Sequence, residues 1–302
     1  MTIAALGAFV AAALTAVALW LVPPGPSSGS PDRLPTEAPD RLPANSPGKA
    51  APTPSWPTPS RLTLPRPTPA EIAALPEVRY DAVIPGLLAF TGDEVPSRAY
   101  SLRADTPIYG ADRRRLVARF GARNFLGEPT VVVPVGAGRD GWVRVLTPAR
   151  QSLPSESGGD APAQTAGWVR TEALIDPVPL PRRIVISSSE QSLTIRRGDG
   201  IEDSFRVGVG APGTPTPVKV TGYLQARYLD PAQNQSRYAV QLSSLHSAAA
   251  DEPYGGSDGG LIGLHYERTA TGAVSHGCIR LPAEAVAAVD RLPLGTPVVV
   301  TG

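Results

Sequence analysis

The chain has 302 residues, with 28 Lys plus Arg against 27 Asp plus Glu, so its formal net charge of +1 excludes a protein that coats nucleic acid, which needs a concentrated basic face. Hydrophobic residues make up 42%, as in globular proteins, but 35 Pro and 30 Gly exceed what continuous secondary structure accommodates, so part of the chain is non-globular. The single cysteine, Cys278, excludes an internal disulfide framework, a Cys-rich zinc ribbon and a CxxC redox motif.

From Ile3 to Val22 the sequence is apolar except for Gly7 and Thr15. As a helix it would span about 30 Å, the thickness of a bilayer core. Residues 1–22 therefore read as a single-pass transmembrane anchor or as a cleaved signal segment, and both readings export the remainder of the chain. The missing basic n-region and the lack of a small-x-small cleavage site favour the anchor.

Residues 23–69 hold 15 prolines among Ser, Thr and Ala. That composition cannot bury enough apolar surface to offset ordering entropy, and predicts a Pro-rich disordered linker. Its short repeat, Pro31 to Pro35 and Pro39 to Pro43, reads as low-complexity drift. Thr68-Pro69-Ala70-Glu71 is an N-cap, a proline at the first helical position and a capping-box acid, predicting a short helix through Leu75.

Within residues 70–178, β-like runs at Arg115–Phe120, Thr130–Val135 and Trp142–Leu146 are separated by Gly, Pro and Asp clusters, the spacing of a small all-β barrel. Gly141-Trp142-Val143-Arg144 recurs as Gly167-Trp168-Val169-Arg170. Two core or rim tryptophans explain the repeat better than a ligand platform, because Trp is usually buried for packing. The pattern resembles a bacterial SH3-like domain.

Residues 179–302 read as a second unit, mainly β with one or two short helices. Strands are predicted at Arg183–Ile186, Ser192–Ile195, Phe205–Val209, Val218–Leu224 and Val298–Val300, with a turn over Gly210 to Pro215. Pro282 opens an amphipathic helix through Val286 and Val289.

All three histidines, His246, His265 and His276, lie with Cys278 between positions 246 and 278. A thiol beside imidazole matters because the thiolate is the nucleophile and a histidine can take its proton. In Ser275-His276-Gly277-Cys278-Ile279-Arg280, an extended path would project His276 and Cys278 from one face. Gly277 permits close backbone approach or N–H groups aimed at an oxyanion. The bland alternative is a buried inert cysteine beside a hydrogen-bonded histidine, and the clustering of every His and Cys opposes it. A papain-like order fails because no histidine follows Cys278. A zinc site lacks the usual paired ligand spacings, so no metal is expected.

At these six residues the sequence resembles the L,D-transpeptidase catalytic domain, also called the YkuD domain. Thr214-Pro215-Thr216-Pro217, Leu242-Ser243-Ser244-Leu245-His246-Ser247 and Leu264-His265 are similar to further family segments, so the resemblance covers residues 181–302. It implies acyl transfer on peptidoglycan stem peptides without a cofactor. Cys278 would form a thioester with a donor tetrapeptide, and an acceptor amine would resolve it into a 3→3 crosslink. His265 would relay protons, His276 would orient or assist the thiolate, and Ser275, Gly277, Arg280 and His246 would serve substrate binding or the oxyanion. Exposed structural Arg and an ordinary satisfied histidine stand as the bland readings of Arg280 and His246, and a turn-capping serine as that of Ser275. The resemblance also implies inhibition by carbapenem-type β-lactams and a catalytic unit on the outer face of the cell membrane, facing the wall. An L,D-carboxypeptidase and a non-enzymatic wall-binding protein are the alternatives. One departure stands out: the family continues its upstream histidine with Gly-Thr and a longer loop, whereas His265 is followed by Tyr266-Glu267, which predicts a reshaped acceptor side or lost activity.

Overall fold

Thr68 and Glu71 make the capping box read from the sequence. Thr68 Oγ1 accepts from Glu71 N at 3.2 Å and the Glu71 carboxylate accepts from Thr68 N at 2.7 Å, closing helix α1 (Pro69–Ala73). The computed structural model describes residues 66–159, 161–250, 258 and 260–302. The expected membrane segment 1–22 and all but the last residues of the 23–69 linker lie outside the described residues. Among the described residues no helix is long and apolar enough to cross a membrane.

The N-terminal half contains β1 (Leu88–Ala89), β2 (Arg98–Leu102), β3 (Thr106–Tyr109), β4 (Leu116–Phe120), β5 (Pro134–Arg139), β6 (Trp142–Thr147), β7 (Thr165–Arg170) and β8 (Leu174–Pro179). Six of them form one sheet in the order β4-β3-β7-β6-β5, with β1 also on β7, while β2 and β8 form a separate ribbon. The strand expected at Thr130–Val135 is displaced: Val132 makes an isolated bridge to Tyr100, and regular pairing with β6 starts only at Pro134. The repeated Gly-Trp-Val-Arg segments pair with each other. Because β6 and β7 are antiparallel, Trp142 faces Arg170 and Arg144 faces Trp168. The Arg170 guanidinium lies 3.8 Å over the Trp142 ring and that of Arg113 lies 3.9 Å over Trp168, so each indole has a face already covered.

The C-terminal half contains β9 (Arg182–Ser187), β10 (Ser192–Arg197), β11 (Gly200–Arg206), β12 (Gly208–Gly210), β13 (Val220–Asp230), β14 (Gln235–His246), β15 (Leu261–Tyr266), β16 (Gly272–Ser275), β17 (Ile279–Leu281), helix α2 (Ala283–Asp290) and β18 (Pro297–Thr301). They form a ten-stranded sheet ordered β11-β10-β9-β18-β13-β14-β15-β17-β12-β16. Pairing is mixed: β18 runs parallel to β9, β15 to β17 and β12 to β16. The single strand expected at Phe205–Val209 is two, since β11 returns against β10 while β12 leaves to pair with β16 and β17. Helix α2 buries Ala285, Val286, Ala288 and Val289 against the main apolar cluster, with Pro282 as N-cap rather than first helical residue.

The two halves share buried surface. Leu180 and Tyr223 join Phe90, Ala99, Val133, Val135, Leu146 and Ala166 in one apolar cluster. Beside it, Ser244 Oγ accepts from Tyr223 N at 3.0 Å and donates to Gln164 Oε1 at 2.6 Å. Burial of this surface favours a fixed relation between the halves.

Candidate active site

Cys278 lies on the bend between β16 and β17. The extended path expected from His276 to Cys278 is broken by Gly277, whose φ is +99° and at which an added Cβ would come within 2.9 Å of Ile262 Cδ1. His276 is consequently solvent-exposed, whereas Cys278 is half-buried.

The bend is held from outside. The Ser275 carbonyl accepts from Ala211 N at 2.8 Å and from Thr214 Oγ1 at 2.9 Å, and the Gly277 carbonyl accepts from Thr216 Oγ1 at 2.8 Å. Thr216 Oγ1 itself accepts from Gly210 N at 2.9 Å. Gly210 is required there, because an added Cβ would lie 2.3 Å from Thr216 N and 2.4 Å from Thr214 O. Ser275 Oγ donates to the Cys278 carbonyl at 2.5 Å, so this hydroxyl braces the turn. The described chain has no cis peptide, and in a trans peptide N–H and C=O point in opposite directions. Pinning the Gly277 carbonyl to Thr216 therefore aims the Cys278 N–H away from Thr216.

The thiol donates to the Leu261 carbonyl, with Sγ to O at 3.6 Å. Desolvation is the main effect on it and raises its pKa, opposed by a Gly263 backbone hydrogen bond and the charge of Arg280. His265 sits on the adjacent strand, since β15 and β17 pair in parallel with Leu264 opposite Ile279 and His265 opposite Arg280. Leu264 and Ile279 enter the core, which turns His265 and Arg280 to the other face, the one that Cys278 shares by alternation.

His265 Nδ1 lies 3.2 Å from the Tyr266 carbonyl, and a carbonyl only accepts, so Nδ1 carries the proton and Nε2 the lone pair. Gln235 Nε2 donates to the same carbonyl at 3.0 Å and stands 3.5 Å from Nδ1. Burial is the leading effect on the His265 pKa and lowers it; the Tyr266 hydrogen bond and Glu267 raise it, and Arg280 lowers it. Arg280 is half-buried, and its Nε is enclosed without a hydrogen-bond partner among the described residues.

His246 faces elsewhere. It ends β14, is 2% exposed, and donates from Nε2 to Pro148 O of the N-terminal half at 2.7 Å. Burial is the main reason its pKa is pushed down to about 3, with the charge of Arg150 acting in the same direction. Sequence reasoning missed Gln235 and the positioning role of Thr214 and Thr216. Among the described residues no group of three or more His, Cys, Asp or Glu is gathered as a metal site requires. A cavity of about 640 Å³ lies in the N-terminal half beside Tyr109, Trp142 and Arg170.

No curated protein sequence matches the chain. Among solved structures it is similar to an L,D-transpeptidase from Stackebrandtia nassauensis, at 15% identity over 40% of this chain and 56% of that one, with a TM-score of 0.29. It is similar also to the catalytic domain of an E. faecium L,D-transpeptidase, at 20% identity over 40% of this chain and 97% of that one, TM-score 0.28. An L,D-transpeptidase from Mycobacterium tuberculosis H37Rv matches at 17% identity over 57% of this chain and 90% of that one, TM-score 0.32. The chain thus spans little more than half the length of the S. nassauensis protein. Residues 181–300, which hold the Cys278 bend, His265 and the two clamping threonines, match the YkuD family, the L,D-transpeptidase catalytic domain.

Proposed function

We propose that this protein is a cysteine-dependent L,D-transpeptidase acting on peptidoglycan stem peptides. The observation that carries the reading is the YkuD match over residues 181–300, which contain a thiol with a raised pKa and a neutral imidazole on one sheet face. A raised thiol and a lowered imidazole favour the uncharged pair, so Cys278 is activated during attack. As Sγ attacks the carbonyl of the third stem residue, its proton passes to His265 Nε2, and the Cys278 N–H faces the oxyanion. Collapse breaks the amide to terminal D-Ala, whose amine takes that proton, leaving a thioester on Cys278. An acceptor side-chain amine then attacks, losing a proton to His265. Sγ leaves and is reprotonated, and a 3→3 crosslink remains. Water in place of that amine would make the enzyme an L,D-carboxypeptidase.

In the same reading residues 70–178 are an SH3-like accessory module, and Ile3–Val22 tethers the protein so that the catalytic half faces the wall. Mass spectrometry after incubation with a disaccharide-tetrapeptide tests the activity: a dimer supports crosslinking, a tripeptide product supports trimming, and no change refutes both. Exposure to a carbapenem should add mass to the wild type and none to Cys278→Ala. Protease added to wall-stripped cells should remove the catalytic half, and protection would refute export.

A further inference from the structure

A short chain of contacts joins the N-terminal half to the nucleophile. Arg150 lies between β6 and β7, is 7% exposed, and its backbone is fixed: its N–H donates to Ala82 O at 2.9 Å and its carbonyl accepts from Ile84 N at 2.8 Å. Its guanidinium donates through Nη1 to Ser247 O at 3.0 Å and through Nη2 to Gly260 O at 3.2 Å. Ser247 directly follows β14 and Gly260 directly precedes β15, so one side chain holds the end of one catalytic strand to the start of the next. Ser247 N closes the same junction on Gly260 O at 2.9 Å. Two nearby contacts run in the same sense. His246 N donates to Ala163 O at 2.9 Å, and Ser155 donates through N and Oγ to the Asp258 carboxylate at 2.6 and 2.7 Å.

Gly260 is bonded to Leu261, whose carbonyl receives the Cys278 thiol. A buried guanidinium is costly unless its donors are used, and a planar fork fits two carbonyls at fixed spacing in a way an ammonium does not. We propose that Arg150, which touches no reacting atom, is a positioning residue for Cys278, setting the Leu261 carbonyl against which the thiol rests. This rests on Cys278 being the nucleophile proposed above, and it makes the N-terminal half part of the reactive geometry.

The test uses the full chain and two independent readouts. Cys278 is the only cysteine, so iodoacetamide alkylation at pH 7 reports its environment whatever the substrate. Arg150→Met should release the thiol from its acceptor and raise the alkylation rate about threefold or more, while kcat for crosslinking falls about tenfold with KM nearly constant. Arg150→Lys, which keeps the charge and part of the donor set, should recover part of both. If Arg150→Met does not fold, Arg150→Lys against wild type carries the comparison, with smaller changes of the same sign expected. Alkylation within twofold of wild type in a folded variant overturns the proposal, as does a loss of kcat that leaves alkylation unchanged. Should wild type crosslink nothing, the transpeptidase reading fails, while the alkylation comparison still decides the role of Arg150.

Discussion

Thr216 donates its hydroxyl to the carbonyl of Gly277 across 2.8 Å, joining residues 61 positions apart at the Cys278 bend. Thr216→Val keeps the shape and removes the donor, leaving a buried carbonyl unsatisfied at a cost of about 1–3 kcal/mol. Acylation by a carbapenem should slow about tenfold in a folded protein, because the peptide that presents the Cys278 N–H loses its anchor. Thr216→Ser should restore most of the rate, and equal rates for Thr216→Val and wild type would remove Thr216 from the site.

His265 and His276 should be unequal. His265 is seated against Tyr266 O and Gln235, whereas His276 stands on the exposed bend. His265→Ala should lower the acylation rate by about 10²-fold or more, the range for a lost general base. The expected loss for His276→Ala is smaller, and the reverse order would exchange their roles.

The pH profile of acylation follows from the two shifts. A base works when deprotonated, and the His265 pKa is lowered from 6.5, so the acid limb should fall below pH 6.5. The thiol is raised from 9.0, so simple alkylation of Cys278 should still be increasing above pH 9.0. An acid limb above pH 6.5 would contradict the neutral pair.

His246 carries a stability prediction. Its folded pKa is about 3 against 6.5 for an unperturbed imidazole, so between those values the unfolded chain binds the extra proton. Stability should therefore rise with pH across that window, by at most about 1.4 kcal/mol per pH unit from this group, and be lost as pH falls. Denaturant titrations of wild type and His246→Gln at pH 4 and 7 measure it. A variant with the same pH slope as wild type would show that His246 is not the group responsible.

What could be read in the sequence was local chemistry. The capping box around Thr68 and Glu71, the recurrence of Gly-Trp-Val-Arg and the Ser275–Arg280 signature each declare themselves within a few residues. Trp142 is buried under Arg170 and Trp168 carries Arg113 on its face, contacts that composition alone could not reveal. The clamp on Ser275 and Gly277, the seat of His265 on Gln235 and the grip of Arg150 on Ser247 and Gly260 join segments 30 to 110 positions apart. Strand order sets those partnerships, and no local pattern encodes it. The break at Gly277 is illegible for a related reason: glycine is also compatible with an extended strand, and its positive φ goes with partners distant in sequence, Thr214 and Thr216 clamping the bend and Ile262 packed where a Cβ would stand.

Strand β18 lies between β9 and β13 and is the link that joins the β9–β11 hairpin to the rest of the large sheet. During folding, β9, β10 and β11 must therefore wait for β18 before they can join that sheet. Pairings so distant along the chain form slowly. The sheet that carries the Cys278 bend is therefore completed only once β18 is paired with β9, more than a hundred positions before it in the chain.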